Sequence, residues 1–418
     1  MRPDLNKFGL VLVISLTVRG GYLFLFGDCA SFDLGCWKHV ADVLQAGGNP
    51  YHETRFLNYP PLWMQLLCLF KKLSLFWNVS FNTVLRGFLI AVESALSLLL
   101  YTTLARVVKA GSAAQWLLAG IALNPVAIYQ VCQHGNFDVL VGFWVLLAVS
   151  LVLRFQEAFA ARFWLLACLA LGLGALTKIV PLCLAPLLLL AWRRLHALEL
   201  LLGAVLLLGP ITLGLSIVYV LGPEDIQSKV LGYRSVAGDF GFTGLFTWLG
   251  LSSWLAAWPR VFILGYGSTW LALCLWLSQR DTLNPRQVVS LAVVLLMAIP
   301  ALGPGYGPQY VYWFMPLLVL LYGLGTRGTR RFLGLLYGVA AATYTIEYGL
   351  NFKTYGAFWL DITQTRSLLQ LGLTLATPAA QTGLNLPLWL LYCAGVAGWG
   401  SGLARELFRD LRTGWQGK

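Results

Sequence analysis

Residues 59–81, YPPLWMQLLCLFKKLSLFWNVSF, decide how many times this chain is predicted to cross a membrane. The apolar part of this stretch is only about ten residues long before Lys71 and Lys72 interrupt it. A membrane-spanning helix needs about 17 to 25 mostly apolar residues. Counting this stretch as a span would also invert every later loop. We therefore predict an amphipathic helix that lies on the outer, non-cytoplasmic surface of the membrane.

Apolar runs before and after this stretch are long enough to cross the bilayer. The chain of 418 residues is 58% hydrophobic and only 11% charged, whereas soluble domains contain about 25% charged residues. This composition predicts an all-α polytopic membrane protein with about 12 transmembrane helices. The predicted spans are 9–26, 87–105, 115–133, 137–154, 162–177, 179–192, 197–221, 261–279, 288–302, 310–325, 332–350 and 386–404.

The lysine and arginine residues of the short loops predict the orientation, because cytoplasmic loops are rich in both. With the N-terminus in the cytoplasm, the cytoplasmic segments carry 17 basic and six acidic residues, and the rest of the chain carries 12 basic and 11 acidic residues. Residues 1–418 are therefore expected to form one multi-pass domain in the plasma (inner) membrane, with both termini cytoplasmic. Its large extracytoplasmic loops are predicted at 27–86 and 222–260.

Polar residues gather on the predicted extracytoplasmic side. Asp138 and Lys178 stand beside apolar helix ends, where an unpaired charge costs a few kcal/mol, so they are expected to pair with one another or to line a polar cavity. Arg19, inside the first span, is expected to pair with a carboxylate such as Glu93. The candidate substrate-binding residues, each of which also fits an ordinary solvated turn, are Lys178, Arg234, His134, Asn136, Asp138, Arg55, Tyr59, Gln309 and Tyr310.

This layout suits group transfer at the membrane surface from a lipid-bound donor. A carboxylate can remove the proton of an attacking hydroxyl, and Asp33 is the candidate base. Cationic side chains can neutralise a leaving phosphate, and Lys178 and Arg234 are the candidates. A serine-hydrolase elbow, a Walker A loop and zinc-ligand spacings are missing from the sequence. The net charge of +12 belongs to the loops and forms no basic run, which argues against nucleic acid.

Three stretches resemble a known superfamily. They are SFDLGCWKHVADVLQAGGNPYHETRFLNYPPL (31–62), NPVAIYQVCQHGNFDVL (124–140) and PGYGPQYVYWFMP (304–316). The first is similar to the first luminal loop of GT-C polytopic glycosyltransferases. The likeness is greatest to bacterial polyprenol-phosphate-mannose-dependent mannosyltransferases, the glycosyltransferase family 87-like group. The stretches that match the motifs of this superfamily cover about 70 residues in total.

The resemblance implies a GT-C helical bundle that uses a polyprenyl-phosphate sugar, most often mannose, with Asp33 as catalytic base and inversion at the anomeric carbon. Relatives often carry D-x-D where this chain has Ser31-Phe32-Asp33, so Asp28 is a second candidate for the base. Whether the reaction uses a divalent cation, Mg or Mn, is therefore left open by the resemblance. The implied partners are the donor, a lipid or glycan acceptor, and membrane lipids.

Aromatic residues near the candidate site have two interpretations. They can stack on a sugar ring, or they can belong to the belt of aromatic residues at the membrane interface. The residues concerned are Tyr51, Tyr59, Tyr310, Tyr312 and Trp313.

The main alternative function is a polytopic transporter or a flippase for lipid-linked oligosaccharides. Transporters often show repeated halves and charged residues near the middle of the bilayer. This sequence shows no evident repeat, and its charges are predicted at one mouth of the bundle. Glycosyl transfer is therefore the favoured function.

Overall fold

The structure, a computed structural model, describes residues 5–26, 31–54, 57–108, 122–222, 226–231, 241–346 and 378–416. These ranges contain helices and no β-strand. The α-helices are α1 (Leu5–Phe26), α2 (Phe32–Gln45), α3 (Pro50–Glu53), α4 (Pro61–Trp77), α5 (Phe81–Val107), α6 (Pro125–Ile128), α7 (Asp138–Ala158), α8 (Ala161–Thr177), α9 (Ala197–Leu221), α10 (Gly241–Trp248), α11 (Ser252–Leu277), α12 (Pro285–Leu302), α13 (Val311–Leu324), α14 (Arg327–Tyr344) and α15 (Pro378–Gln416). Short 3₁₀ or π segments occupy Tyr129–His134, Val180–Leu189, Trp192–Arg194, Ile226–Leu231 and Pro308–Tyr310.

Seven described helices are long and apolar enough to cross a membrane. A helix suits the bilayer because it satisfies its backbone donors and acceptors internally. The seven segments are Phe8–Leu25, Phe81–Val107, Asp138–Ala158, Ala197–Val220, Ser253–Leu277, Pro285–Leu302 and Asn385–Arg405. Two shorter apolar segments, Ala161–Thr177 and Val180–Leu189, follow α7 in the chain. The predicted all-α, multi-pass architecture is confirmed.

Some boundaries differ from those predicted. Residues 81–86 and 252–260, predicted as loop, are helical, because α5 begins at Phe81 and α11 at Ser252. The predicted span 179–192 contains a 3₁₀ segment in which Pro181 and Pro186 lack the backbone N–H of a regular α-helix. The described part of the predicted span 115–133 contains the short helix α6 and, after it, a π-helical turn.

The first predicted loop contains α2, α3 and α4. Ser31 caps α2, since its Oγ accepts a hydrogen bond from the backbone N–H of Leu34 at 3.1 Å. Asp42 of α2 forms an ion pair of 2.7 Å with Lys71 of α4. In α4, one face is buried while large apolar side chains such as Phe76 and Trp77 are exposed. This is the amphipathic helix that the sequence predicts.

Glycine at position 142 allows α7 to approach α13 closely. A Cβ atom at Gly142 would lie 2.9 Å from the carbonyl oxygen of Tyr312, which is closer than side chains tolerate. Two turns further along α7, Ser150 hydrogen-bonds Thr103 of α5 at 2.7 Å. The start of α7 is thereby held beside the start of α13, the place where the candidate site forms.

A buried ion pair connects α1 and α5, as the sequence predicts. The Arg19 guanidinium donates from Nε and Nη2 to the two carboxylate oxygens of Glu93, and both side chains are buried. Arg19 also donates from Nη1 to the carbonyl oxygen of Ala122 at 3.0 Å. The hydroxyl of Tyr312 donates to Glu93 at 3.4 Å. These contacts satisfy charges that would be costly in an apolar interior.

Candidate active site

The segment Asn124–Asp138 contains three of the predicted substrate-binding residues, His134, Asn136 and Asp138. Its backbone consists of a short helix, a π-helical turn and a glycine with positive φ. Asn124 caps α6 by accepting from the N–H of Val126 at 2.9 Å. The π-helical turn that follows ends at Gly135, whose φ of +65° is one that side chains rarely adopt. A Cβ atom at Gly135 would lie 2.5 Å from Leu34 of α2. Glycine therefore allows this turn to lie directly against α2.

Asp33 lies in the first turn of α2, facing this segment. Its Oδ2 accepts a hydrogen bond of 2.8 Å from Asn136 Nδ2 and lies 2.9 Å from His134 Nε2. Ser31 strengthens the contact, because its Oγ donates to the carbonyl oxygen of His134 at 2.6 Å. Among the described residues, no hydrogen bond reaches Asp33 Oδ1. The Asp33 side chain is 23% exposed, and both of these contacts use Oδ2.

The surroundings of Asp33 keep its carboxylate ionised. Burial opposes ionisation, but it is outweighed by the charge of His134, the hydrogen bonds from His134 and Asn136, and the charge of Lys178. The net effect lowers the pKa of Asp33 below the ordinary range of an aspartate. Asp33 can therefore accept a hydrogen bond, and then a proton, from a hydroxyl placed at Oδ1.

Three more hydrogen bonds close a ring through this site, and a fourth joins the ring to Asp138. Gln130 Nε2 donates to Asn136 Oδ1 at 3.1 Å, and the backbone N–H of Asp138 donates to the same oxygen at 2.8 Å. The hydroxyl of Tyr344, in α14, contacts Gln130 Oε1 and lies 3.1 Å from His134 Nδ1. We call Asp33, His134, Tyr344, Gln130 and Asn136 the acid ring.

Lys178 and Asp138 form a second, adjoining centre. Lys178 directly follows α8, and its Nζ lies 2.7 Å from Asp138 Oδ1 in an ion pair that is almost fully buried. Asp138 Oδ2 is also buried, and no hydrogen bond from the described residues reaches it. Four aromatic rings surround the ammonium group at 4.8–5.4 Å from their centroids, a distance at which a cation and a ring attract each other. These rings belong to Tyr59, Phe137, Tyr310 and Trp313.

Most predicted site residues that the structure describes come together here. The acid ring contains three of them, and the Lys178 centre contains four; they are Asp33, His134, Asn136, Asp138, Lys178, Tyr59 and Tyr310. Gln309 does not join them: its side-chain amide lies against Gly307, and it makes no hydrogen bond to either centre among the described residues. Asp28, Arg55 and Arg234 lie outside the described residues.

The five aromatic residues that the sequence suggested as sugar-stacking candidates fall into two groups. Tyr59, Tyr310 and Trp313 face Lys178, with Tyr310 stacked on Trp313 at 4.0 Å between ring centroids. Tyr51 is buried and donates its hydroxyl hydrogen bond to the carbonyl oxygen of Tyr59, and Tyr312 faces Glu93. Only the first three are placed to contact a ligand beside Lys178.

Sequence analysis missed Gln130 and Tyr344. Gln130 lies within an apolar run predicted as a span, and a buried amide in such a run must find a hydrogen-bond partner. Tyr344 gave no signal beyond its place near the end of a predicted span. A metal ion at Asp33 gains no support from the described residues, in which no three His, Cys, Asp or Glu side chains come close enough to hold one.

Comparison with known proteins gives a fold. No family model matches the chain, and no curated protein matches it. Among solved structures, it is similar to ArnT from Cupriavidus metallidurans, which was crystallised with bound undecaprenyl phosphate. The TM-score is 0.54 at 15% identity, covering 94% of this chain and 78% of ArnT.

A second likeness is weaker. The oligosaccharyltransferase of Archaeoglobus fulgidus, in its apo form, aligns with a TM-score of 0.42 at 13% identity, covering 94% of this chain and 56% of that protein. This score is too low to support a shared fold by itself. From the helical architecture and the similarity to ArnT, we conclude that the chain has an all-α, multi-pass membrane fold similar to that of ArnT.

Proposed function

We propose that this protein is a membrane glycosyltransferase that moves a hexose from a polyprenyl-phosphate donor to a lipid or glycan acceptor, with mannose as the favoured hexose. The observation that carries the proposal is the partly exposed carboxylate of Asp33, which His134 and Asn136 hold through Oδ2 and which feels the charge of the buried Lys178. The similarity to ArnT, whose crystal structure contains undecaprenyl phosphate, supports a lipid phosphate as the donor class.

The proposed reaction is a single displacement at the anomeric carbon. Asp33 Oδ1 takes the proton from the acceptor hydroxyl while that oxygen forms a bond to the anomeric carbon. The bond from this carbon to the phosphate oxygen breaks, and its electron pair leaves with the polyprenyl phosphate. The configuration of the sugar is inverted. A metal ion is not required for this balance, and Asp28 is the alternative base.

Lys178 is proposed to stabilise the phosphate that leaves. Its ammonium group is held by Asp138 Oδ1 and by the surrounding rings, so it is oriented before the substrate binds. A cation that is fixed in a water-poor site acts strongly on charge that develops there. Tyr59, which is half-buried, is proposed to contact the hexose next to this charge, and Tyr310, which is buried between Trp313 and Lys178, is proposed to help orient the cation. Arg234 and Arg55 are proposed as further phosphate ligands.

The lipid tail of the donor is proposed to lie in a groove between α13 and α14. This groove has apolar walls that include Met315, Leu318 and Leu333. At one end it reaches Val311, which follows Tyr310 in the chain, and Ala340, which is one helical turn before Tyr344. A tail in this groove would place its phosphate near the acid ring and Lys178.

We also propose that this end of the bundle faces the extracytoplasmic side of the plasma membrane. The support is the charge distribution, in which the predicted cytoplasmic segments hold 17 basic and six acidic residues. Helix α4, with its exposed Phe76 and Trp77, would then lie in the outer interface. Both termini would be cytoplasmic.

A donor panel tests the proposed function. Purified protein in lipid nanodiscs is given undecaprenyl-phosphate mannose, glucose or galactose and a total lipid and glycan extract as the acceptor source, and mass spectrometry measures released undecaprenyl phosphate. We expect release with at least one hexose, fastest with mannose. If no donor is cleaved but a labelled donor crosses the bilayer of proteoliposomes, the protein is a transporter instead.

A further inference from the structure

The turn between α7 and α8 lies at the end of the bundle opposite the acid ring. Helix α7 begins at Asp138, which pairs with Lys178, and ends at Ala158. Its 21 residues place the turn about 30 Å from that pair, at a rise of about 1.5 Å per residue. This is about the thickness of the hydrocarbon core of a bilayer. When the candidate site is at one membrane surface, the turn is therefore at the headgroups of the other.

The last turns of α5 and α7 bring two arginines together at this end. Arg106 Nη1 lies 3.4 Å from Glu157 Oε2, which joins the two helix ends. About one helical turn before them, Thr103 of α5 and Ser150 of α7 are hydrogen-bonded at 2.7 Å. Arg154 comes one turn after Ser150, and the charges of both Arg106 and Glu157 act on it. Arg106 and Arg154 are therefore like charges held close together.

A third arginine, Arg162 in the first turn of α8, shares an aromatic ring with Arg154. The guanidinium carbon of Arg154 lies 5.8 Å from the centroid of the Phe163 ring, and that of Arg162 lies 4.9 Å from it. A cation and an aromatic ring attract each other at these distances. We call Arg106, Arg154 and Arg162 the arginine cluster.

The arginine cluster has more positive charge than the neighbouring carboxylate neutralises. Glu157 pairs with Arg106, whereas Arg154 and Arg162 form no ion pair or hydrogen bond with the residues that the structure describes. The stretch 108–121, which continues the chain after α5, contains Lys109 and no acidic residue, so it supplies no carboxylate. Three positive charges and one negative charge leave the cluster and Glu157 with a net charge of +2.

A neighbouring arginine with an acidic partner makes a useful contrast. Arg194 Nη2 lies 3.3 Å from Asp281 Oδ2, and its guanidinium carbon lies 4.0 Å from the centroid of the Phe159 ring. Arg194 therefore has both a ring and a carboxylate, and Asp281 is already in use. Arg154 is half-buried near the end of an apolar helix, where a charge without a counter-charge is costly. We therefore expect its counter-charge to come from a ligand.

We propose that the arginine cluster binds the headgroup phosphate of an anionic phospholipid, in the leaflet opposite the acid ring. The guanidinium group is suited to phosphate because its N–H donors can bind two oxygens at once. Basic pockets between membrane-spanning helices are known to bind anionic lipid headgroups. The apolar side chains of Phe159 and Leu166 are exposed beside the cluster and would contact the acyl chains, which a free phosphate ion lacks. The proposal does not depend on the proposed function.

Native mass spectrometry of the full-length protein in detergent tests this site. The protein is titrated with short-chain phosphatidylglycerol, short-chain phosphatidylcholine and inorganic phosphate. We expect phosphatidylglycerol to bind more tightly than phosphatidylcholine, and Arg154→Gln/Arg162→Gln to weaken its binding roughly 30-fold, as for two arginines near a headgroup. Equal affinity for the two lipids, or an unchanged affinity in this variant, would overturn the proposal. Displacement of phosphatidylglycerol by an equal concentration of inorganic phosphate would overturn the assignment to a lipid.

Two further variants separate a local site from overall charge and from damage to the fold. Arg327→Gln/Arg331→Gln removes the same charge from exposed arginines at the same end of the bundle, because α14 begins at Arg327 and ends at Tyr344 in the acid ring. It should leave the affinity for phosphatidylglycerol nearly unchanged. Glu157→Gln removes the acidic partner of Arg106 and should strengthen binding, which misfolding cannot do. Equal weakening in both arginine double variants, or weaker binding in Glu157→Gln, would contradict the proposal.

Discussion

Asp138 holds the ammonium group of Lys178 at 2.7 Å with one carboxylate oxygen, while its other oxygen is buried without a hydrogen bond from the described residues. The two charges therefore neutralise each other, and Asp138 Oδ2 is a buried acceptor that no donor among the described residues reaches. A buried charge pair of this kind contributes little net stability, but breaking it leaves an uncompensated charge.

Replacing one member of this pair is expected to be worse than replacing both. Lys178→Met leaves the Asp138 carboxylate buried and alone, which should destabilise the protein by about 3–5 kcal/mol. Lys178→Met/Asp138→Asn removes both charges and should recover most of the thermal stability, but not donor turnover. Thermal unfolding in detergent and donor cleavage measure the two effects. Recovery of turnover in the double variant would show that the phosphate does not use Lys178.

The acid limb of the pH profile should depend on Asn136. The lowered pKa of Asp33 means that the stability supplied by its hydrogen bonds is complete above the pKa of an unfolded aspartate and is lost as the pH falls through the lower, folded value. Asn136→Ala removes one of the hydrogen bonds that lower this pKa. The pH at which turnover falls in acid should therefore move upwards. An unchanged acid limb, measured with folded protein, would show that Asp33 is not the group that titrates.

The groove between α13 and α14 offers a matched pair of glycine variants. Gly334 lines the groove and Gly338 does not, and a Cβ atom at either would meet nothing within 4 Å. Gly334→Leu should fill the groove and raise the KM for a long-chain donor several-fold more than for a short-chain analogue. Gly338→Leu makes the same chemical change on the same helix and should leave both values unchanged. Equal effects of the two variants would exclude the groove as the tail site.

The buried pair of Arg19 and Glu93 should be sensitive to geometry as well as charge. Arg19 contacts both carboxylate oxygens of Glu93 and also Ala122, a fork that a lysine cannot reproduce. Arg19→Lys should lower the unfolding temperature although it conserves the charge, while turnover per folded molecule stays the same. Differential scanning fluorimetry with a parallel turnover assay checks this. A variant as stable as the parent would mean that charge alone holds α1 to α5.

The parts of the fold that the sequence predicted well depend on local signals. Apolar length predicted the spans, and the short apolar strip before Lys71 predicted the separate helix Pro61–Trp77. The pairing of Asp138 with Lys178 followed from the cost of an isolated charge at an apolar helix end. Each of these predictions needs only a window of the chain and the properties of the bilayer.

The acid ring could not be predicted in this way. Gln130 meets Tyr344 only through packing of α14 against the turn after α6, a contact between distant parts of the chain. The π-helical form of Tyr129–His134 and the left-handed Gly135 aim His134 at α2, and neither is specified by hydrophobic periodicity. The sequence shows only that Gln130 lies within an apolar run. This indicates that its side chain has a hydrogen-bond partner but does not identify that partner.

Release of undecaprenyl phosphate by Asp33→Asn protein tests the proposed function most directly. Asp42→Asn is the control, since Asp42 lies on the same helix, is 45% exposed and pairs only with Lys71 among the described residues. With the best donor of the panel, Asp33→Asn should lower turnover roughly 100- to 10,000-fold, as expected for loss of a general base, and Asp42→Asn should not lower it. Turnover by folded Asp33→Asn at the rate of the parent protein would contradict the proposed role of Asp33.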